Sequence, residues 1–407
     1  MGRVKLILVG LVLCFLLQST SFGQSWLRHT IDSSSSGADG VKLGDINGDG
    51  LPDIVTGWEE GGITRLYLYP GAARVKEPWP AVTVGTTPDV EDAAFVDMDG
   101  DGKLEIVSCT EGSDKKIYVH WSQSENLLDP QTWRQEVLPA SARRMRWMYA
   151  QALPIDGKNG GDLVAGGKDV GAGVGWFESP DAPRNLHQWQ WHPITPAGWI
   201  MSILVRDMDR DGDNDIVITD RKGTYQGCRW LENPGMGQAQ KSIWRSRMIG
   251  GAGLEVMFMA MVDTDGDGIE EAVITEKTEG TIRIFKRRDK QGISWEETTK
   301  IHIPDTLGSP KSVEAGDING DGIADLVYST ETKGLVKIGL AWIDGRELNQ
   351  PAKITFHSIS GTHIAKYDKA ELLDMDQDGD LDVLICEENY GENSRGLGVI
   401  WYENPHK

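Results

Sequence analysis

Six segments of the chain repeat one acidic nonapeptide with Asp or Asn at positions 1, 3 and 5, glycine at position 6 and Asp or Glu at position 9. Calcium prefers about six to eight hard oxygen ligands, and a short loop of this kind supplies them from those side chains and from the carbonyl group at position 7. An EF-hand would also need a glutamate at position 12 and flanking helices, but position 12 is never acidic here. The pattern therefore predicts six calcium-binding loops. The predicted ligands are Asp45, Asn47, Asp49, Leu51 and Asp53; Asp97, Asp99, Asp101, Lys103 and Glu105; Asp207, Asp209, Asp211, Asp213 and Asp215; Asp263, Asp265, Asp267, Ile269 and Glu271; Asp317, Asn319, Asp321, Ile323 and Asp325; and Asp374, Asp376, Asp378, Asp380 and Asp382.

A seventh, degenerate copy of the nonapeptide lies between the second and third loops. It keeps only Asp156 and Asp162 of the acidic residues, so we expect no ion there. Successive copies are 51 to 59 residues apart. This spacing indicates seven structural units of one kind.

Each unit offers material for four short strands. The loops are followed by β-branched runs such as Ile54-Val-Thr56, and Trp-x-Glu-x-Pro turns recur at Trp176, Trp230 and Trp401. We therefore predict an all-β fold, a seven-bladed β-propeller of four-stranded blades over residues 24–407. The last unit ends one strand short, and the segment Trp26–Ile31 is predicted to close it as the fourth strand,.

Residues 1–23 have the pattern of a secretory signal peptide. Arg3 and Lys5 precede the apolar run Leu6–Leu17, and small residues follow up to Gly23,. The expected location is therefore secreted or periplasmic. The net charge of -21 is concentrated in the loops, whose positions 1, 3, 5 and 9 hold 22 acidic side chains. Without a basic patch, nucleic acid is not an expected partner, and no later apolar run approaches the roughly 20 residues of a membrane span.

The predicted topology separates two faces of the ring. The acidic loops join the first strand of each unit to the second, so they share one face. The segments that enter the first strand and leave the second meet near the axis on the other face, where they carry charges and tryptophans of the kind that bind sugars. The predicted substrate-binding residues are Glu91, Asp92, Trp147, Trp199, Arg221, Lys222 and Glu387.

The acidic loops resemble the calcium-binding FG-GAP and VCBS repeats over essentially the whole mature chain. More narrowly, segments such as Val90–Phe95, Gly198–Ser202 and Lys366–Leu373 resemble the β-propeller domain of aldos-2-ulose dehydratase (1,5-anhydrofructose dehydratase) and its bacterial relatives. That resemblance implies a carbohydrate lyase that eliminates water from an oxidised keto-sugar.

In such a reaction a base removes the acidic proton α to the carbonyl group, a cation stabilises the enolate and an acid assists departure of the β-hydroxyl group. A divalent cation in the central channel is a further expectation. Two alternatives stand beside this hypothesis: a non-catalytic propeller that binds glycans or proteins, and a polysaccharide lyase. The residues assigned to the catalytic roles are His363 or Tyr367 as base, Lys366, Lys311 and Arg146 as cations, and Glu255 or Asp368 as acid.

Overall fold

The computed structural model describes residues 25–113, 115–391 and 396–406, together with the backbone of 20–21. This part of the chain forms seven blades, here called blades 1 to 7, each with four antiparallel strands, and contains no α-helix. The prediction of an all-β, seven-bladed propeller is confirmed. The strands, from first to fourth, are Ala38–Gly44, Asp53–Trp58, Ile63–Tyr67 and Ala81–Thr86 in blade 1; Val90–Val96, Glu105–Thr110, Ile117–Ser122 and Trp133–Val137 in blade 2; Arg146–Ala152, Leu163–Lys168, Gly173–Glu178 and Gln190–Pro196 in blade 3; Ile200–Arg206, Asp215–Asp220, Gly227–Glu232 and Arg245–Gly250 in blade 4; Val256–Val262, Glu271–Glu276, Thr281–Arg287 and Trp295–His302 in blade 5; Ser309–Gly316, Asp325–Glu331, Leu340–Ile343 and Phe356–Ser358 in blade 6; and Tyr367–Leu373, Asp382–Glu387, Gly398–Glu403 and Leu27–Asp32 in blade 7.

Short elements connect these strands. Lys337–Ile338 and Thr362–His363 form a two-stranded ribbon beside blade 6. Within the described residues, six short 3₁₀ helices lie in the loops, at Pro130–Thr132, Pro139–Ser141, Leu186–Gln188, Gln238–Lys241, Gly345–Glu347 and Pro351–Lys353.

Seven hydrophobic clusters hold the ring together, one between each pair of neighbouring blades. The second strand of a blade lies between two such clusters. It is therefore buried along nearly its whole length, as in Asp53–Trp58 and Asp215–Asp220. This burial on both faces explains the runs of β-branched residues that follow the acidic loops.

The fourth strand of blade 7 comes from the N-terminal end of the described chain. Leu27–Asp32 pairs antiparallel with Gly398–Glu403. This strand begins and ends one residue later than the predicted segment Trp26–Ile31. The imidazole of His29 stacks on Trp401 with ring centroids 4.4 Å apart, and Ile31 is buried. Asp32 accepts hydrogen bonds from Arg65 at 2.5 Å and from the Tyr67 hydroxyl group at 2.9 Å. This strand therefore joins blade 7 to blade 1.

The predicted signal peptide falls mostly outside the described residues. Within it, Thr20–Ser21 pairs in parallel with Phe356 and His357 at the outer edge of blade 6. Among the residues that are described, no helix has the length and apolar composition needed to cross a membrane.

Candidate functional site

The six acidic loops share one hydrogen-bonding plan. In each, the carboxylate at position 1 accepts the N–H group of the glycine at position 6, as Asp45 does from Gly50 at 2.9 Å. Gly50 has a φ of 81°, a conformation that side chains with a Cβ atom rarely adopt,. The carboxylate at position 9 accepts the N–H group of position 2, as Asp215 does from Met208 at 2.8 Å. These bonds close each loop around its own carboxylates.

Several loop oxygens are available for a cation. The carboxylate oxygens of Asp97, Asp99 and Asp101 lie within 4.8 Å of one another, and two other loops contain similar trios. Asp213 Oδ1 and Asp376 Oδ1 are buried without a hydrogen-bond partner. Buried oxygens of this kind cost free energy unless a donor or a cation satisfies them. The donor set and its geometry fit calcium.

The degenerate loop follows the same plan without a full ligand set. Asp162 accepts the N–H group of Ile155 at 2.8 Å, so it occupies position 9 and Pro154 occupies position 1. Position 5 is Lys158, whose ammonium group lies 2.9 Å from Asp156 Oδ2. A lysine therefore provides positive charge where the other loops have a carboxylate. Asp162 also accepts the Ser179 N–H group, so its structural role remains although the loop has lost ligands.

On the opposite face, a cavity of about 370 Å³ lies on the axis of the ring and receives side chains from all seven blades. One contributor from each blade is the sixth residue after loop position 9, at the end of the second strand. We call these seven residues the exit ring. They are Glu59, Glu111, Lys168, Arg221, Lys277, Glu331 and Glu388.

The first strands of six blades contribute consecutive residues to the lining, and that of blade 6 contributes Lys311 alone. All seven first strands have a register irregularity close to their start, such as the one between Asp39 and Lys42. A bulge lets two adjacent side chains face the same side of a sheet, where a regular strand would present only one. Glu91 and Asp92 both line the cavity for this reason.

Charge is distributed unevenly around the axis. The exit ring is cationic in blades 3, 4 and 5 and acidic in blades 6, 7, 1 and 2. A cross-blade ion pair joins Lys277 of blade 5 to Glu331 of blade 6 at 2.6 Å, and within blade 7 Lys366 lies 2.6 Å from Glu388. Lys311 lies 2.8 Å from Asp368 and also pairs with Glu388.

The acidic half contains carboxyl groups that hold their protons tightly. Burial raises the pKa of Glu91 to about 8, although Lys168 opposes the shift from 2.9 Å away. Burial and then the carboxylates of Glu388, Asp368 and Glu91 raise the pKa of Asp39 well above its usual value. Glu91 is therefore largely protonated at neutral pH.

Lys277 differs from the other lysines that line the described cavity. Burial lowers its pKa although the Glu331 carboxylate opposes the shift, and the positive charges of Lys311 and Arg221 lower it further. The pKa values of Lys42, Lys168, Lys311, Lys366 and Lys369 are instead raised by neighbouring carboxylates. Lys277 is thus the lining lysine that loses its proton most readily.

The structure brings together many of the predicted site residues. Those that line the cavity are Lys366, Asp368, Lys311, Glu91, Asp92, Trp199 and Arg221. Lys222 lies at the rim, with its ammonium group 4.4 Å from the centre of the Trp199 ring. Lys168 and Arg221 also contact that ring, at 4.5 and 4.4 Å. Three cations therefore surround the tryptophan that was expected to stack on a sugar.

Other predicted residues lie away from the cavity. Trp147 is buried in the core between blades 2 and 3, where its indole N–H group donates to the Ser141 carbonyl group. Arg146 pairs with Asp169, 3.2 Å away, and Glu255 pairs with Arg221 from outside the lining.

The residues proposed as base are also remote from the lining. Tyr367 is buried, and its hydroxyl group contacts His363 Nε2 at 2.6 Å and the Tyr402 hydroxyl group at 2.5 Å. The Glu387 carboxylate accepts hydrogen bonds from backbone N–H groups, including those of Lys366 and Leu397. One residue away in the sequence, Glu388 is the member of the exit ring.

Of the exit ring, only Arg221 is therefore among the predicted site residues. The signal was present, because counting six residues from loop position 9 identifies every member. Strand register decides which of two adjacent polar residues faces the axis. The bulges that set this register cannot be seen in the sequence.

The fold and the site define a β-propeller with acidic loops on one face and a charged axial cavity on the other. Residues 45–108 and 223–328 match the family model of the FG-GAP-like repeat, and each matched segment spans two acidic loops. The chain is thus a seven-bladed propeller carrying FG-GAP-like repeats.

Solved structures of other propellers share the fold. A crystal structure of BBS1N in complex with ARL6DN, soaked with lead, aligns with a TM-score of 0.54 at 10% sequence identity, covering 93% of this chain and 96% of that chain. A second crystal structure of that complex, soaked with mercury, gives a TM-score of 0.50 at 12% identity over the same shares. At such identity the likeness concerns the fold alone. The comparison with curated proteins gave no match.

Proposed function

We propose that the axial cavity is the active site of a lyase that eliminates water from an oxidised keto-sugar. The observation that supports this proposal is the pairing of two shifted groups in one cavity. Burial raises the pKa of Glu91 to about 8, whereas burial lowers the pKa of Lys277. Two groups whose pKa values are shifted in opposite directions within one site are typical acid and base partners.

The two groups divide the elimination between them. Lys277, once it has released its own proton, takes the proton α to the carbonyl group, and the electron pair of the broken C–H bond forms the enolate. The ammonium groups of Lys311 and Lys366 stabilise the negative charge. As the carbon–carbon double bond forms, the β C–O bond breaks and Glu91 protonates the departing oxygen. The products are an enone sugar and water.

A divalent cation in the cavity is part of the proposal. The carboxylate oxygens of Asp39, Glu59 and Glu388 lie within 4.8 Å of one another. Asp39 is 9% exposed, and none of the described residues forms a hydrogen bond or ion pair with its carboxylate. These three residues would hold the ion, which would supply Lewis acidity to the keto oxygen.

A panel of keto-sugars, followed by the ultraviolet absorbance of the enone product, tests the activity. We expect Glu91→Gln and Lys277→Met each to lower kcat by about 100-fold or more, the usual contribution of general acid–base groups. Arg146→Ala is the matched control, because Arg146 is charged but lies outside the cavity. No enone from any sugar in the panel, or unchanged turnover in both cavity variants, would contradict the proposal.

The acidic loops are proposed to bind about six structural calcium ions. The support is the set of unpartnered oxygens, such as Asp213 Oδ1, within loops of calcium-binding pattern,. Metal analysis should find close to six ions per chain, and chelation should lower the Tm because the ions bind the folded state alone. We also propose that residues 1–23 direct secretion and are then removed, which mass spectrometry of the exported protein would show.

A binding function is the second candidate. The loops that leave the second strands on the cavity face expose apolar side chains, including Tyr225, Leu335, Val336 and Tyr390. The similar BBS1N structure was solved in complex with a protein, ARL6DN. Saturable binding of a glycan or protein at this face, with no turnover across the keto-sugar panel, would favour that function. A polysaccharide lyase fits less well, because about 370 Å³ is near the lower limit of small-molecule pockets,.

A further inference from the structure

The axial cavity has an apolar wall opposite its acidic half. The wall is formed by Met148, Ile200, Met201, Met257 and Phe258, which come from the first strands of blades 3, 4 and 5. We infer that the sugar bound here carries an apolar substituent, such as an alkyl or aryl aglycone, that lies against this wall. This inference rests on the proposed function and specifies its substrate class.

The wall occupies backbone positions that are charged elsewhere in the ring. At the bulged start of the first strand, blade 4 presents Met201, and blade 5 presents Met257 and Phe258, while Ile200 precedes this position as Val256 does in blade 5. The corresponding start in blade 7 presents Asp368 and Lys369. Because the backbone arrangement is the same, the difference lies in the side chains and not in the geometry of the blades.

Apart from Ile200, which also packs between blades 3 and 4, the wall does not belong to the interfaces between the blades. Seven other clusters fill the seven interfaces between neighbouring blades. Met201, Met257 and Phe258 form a separate cluster, with Trp199 packed against it, and these four residues line the cavity. Met201, Met257 and Phe258 are only 1–8% exposed, so most of the gain comes from the apolar part of the ligand, which leaves water when it contacts them,.

The composition of the wall suits a substituent of variable shape. Three of its five members are methionines, whose flexible thioether side chains adapt to different ligands,. A free sugar offers hydroxyl groups on most of its carbons and would leave these side chains poorly matched. An alkyl or aryl group would contact them while the sugar ring meets Glu91 and Lys277.

A homologous series of unreactive alkyl glycosides, from methyl to butyl on one sugar, tests the inference by calorimetry. Each added methylene group should strengthen binding about fourfold, until the wall is covered. Met257→Gln should weaken the dependence of affinity on alkyl length, and Met257→Leu should preserve it. Met248→Gln is the matched control, since Met248 is 42% exposed outside the cavity.

The outcomes separate the two proposals. The apolar subsite is overturned if the affinity of the wild-type protein does not change with alkyl length, or if the dependence on alkyl length persists in Met257→Gln. This holds even if keto-sugars are turned over. A rising series that Met257→Gln abolishes supports the subsite even if no keto-sugar reacts, because these glycosides test binding alone. If Met257→Gln lowers the Tm strongly, the comparison of Phe258→Tyr with wild type replaces it. The added hydroxyl group should reduce the slope, and an unchanged slope would overturn the inference.

Discussion

Removal of the N-terminal strand should unfold the protein, because this strand completes blade 7 and joins it to blade 1. Deletion of residues 24–33 removes the pairing of Leu27–Asp32 with Gly398–Glu403. It also removes Ile31, which is 1% exposed in the core between blades 7 and 1, and Trp26, which is 7% exposed against blades 6 and 7. The deletion would leave Gly398–Glu403 as an unpaired edge strand.

The size of the effect follows from these contacts. Truncation of a buried isoleucine costs about 2–5 kcal/mol and of a buried tryptophan about 3–5 kcal/mol. The hydrogen bonds of Asp32 to Arg65 and Tyr67 involve a charged group and contribute about 1.5–3 kcal/mol each,. Together these are of the order of 10 kcal/mol, which is comparable with the whole stability of a typical protein.

Urea denaturation, followed by tryptophan fluorescence and far-ultraviolet circular dichroism, measures the effect. The deletion variant should lack a cooperative transition, and Ile31→Ala should lower the free energy of unfolding by about 2–5 kcal/mol. Leu27→Ala is the matched control on the same strand, because Leu27 is 62% exposed and should change stability by no more than about 0.5 kcal/mol,. A deletion variant with an unchanged midpoint, or equal effects of Ile31→Ala and Leu27→Ala, would refute the reasoning.

Further predictions concern the loops and a buried histidine. Asp162→Ala should lower the Tm equally in calcium and in chelator, because Asp162 binds backbone N–H groups in the degenerate loop. Asp215→Ala should lower it more in calcium, and equal responses of both variants to chelation would contradict the loop assignment. Burial lowers the pKa of His120 to about 4, below the value of about 6.5 in an unfolded chain,. The unfolded state therefore binds more protons, and stability should fall as the pH drops from about 6.5 to 4, by up to about 3 kcal/mol. His120→Gln should remove this part of the pH dependence in urea titrations, and an unchanged profile would contradict it.

Much of the fold could be predicted because the repeat is local. The acidic nonapeptide appears within nine residues, and its spacing gives the number of blades without any knowledge of long-range contacts. Binding residues were harder to predict. Trp147 has the composition of a sugar platform but lies in the core between two blades, whereas Trp199 lines the cavity. The two look alike in the sequence, because both stand at the start of a first strand: Trp147 is the second residue of Arg146–Ala152, and Trp199 directly precedes Ile200–Arg206.

The sequence by itself determined the repeat, the seven units, the strand supplied from the N-terminal end and the face on which charged segments converge. These features depend on residue spacing and on the turn chemistry of each loop, both of which are local. The tertiary structure alone decided which side chains reach the axis. A bulge near the start of each first strand changes the side of the sheet to which adjacent side chains point. Consequently Glu388 faces the cavity while Glu387 binds backbone N–H groups. It also decided the chemistry of the cavity, since the pKa values of Glu91 and Lys277 depend on burial and on charges from other blades.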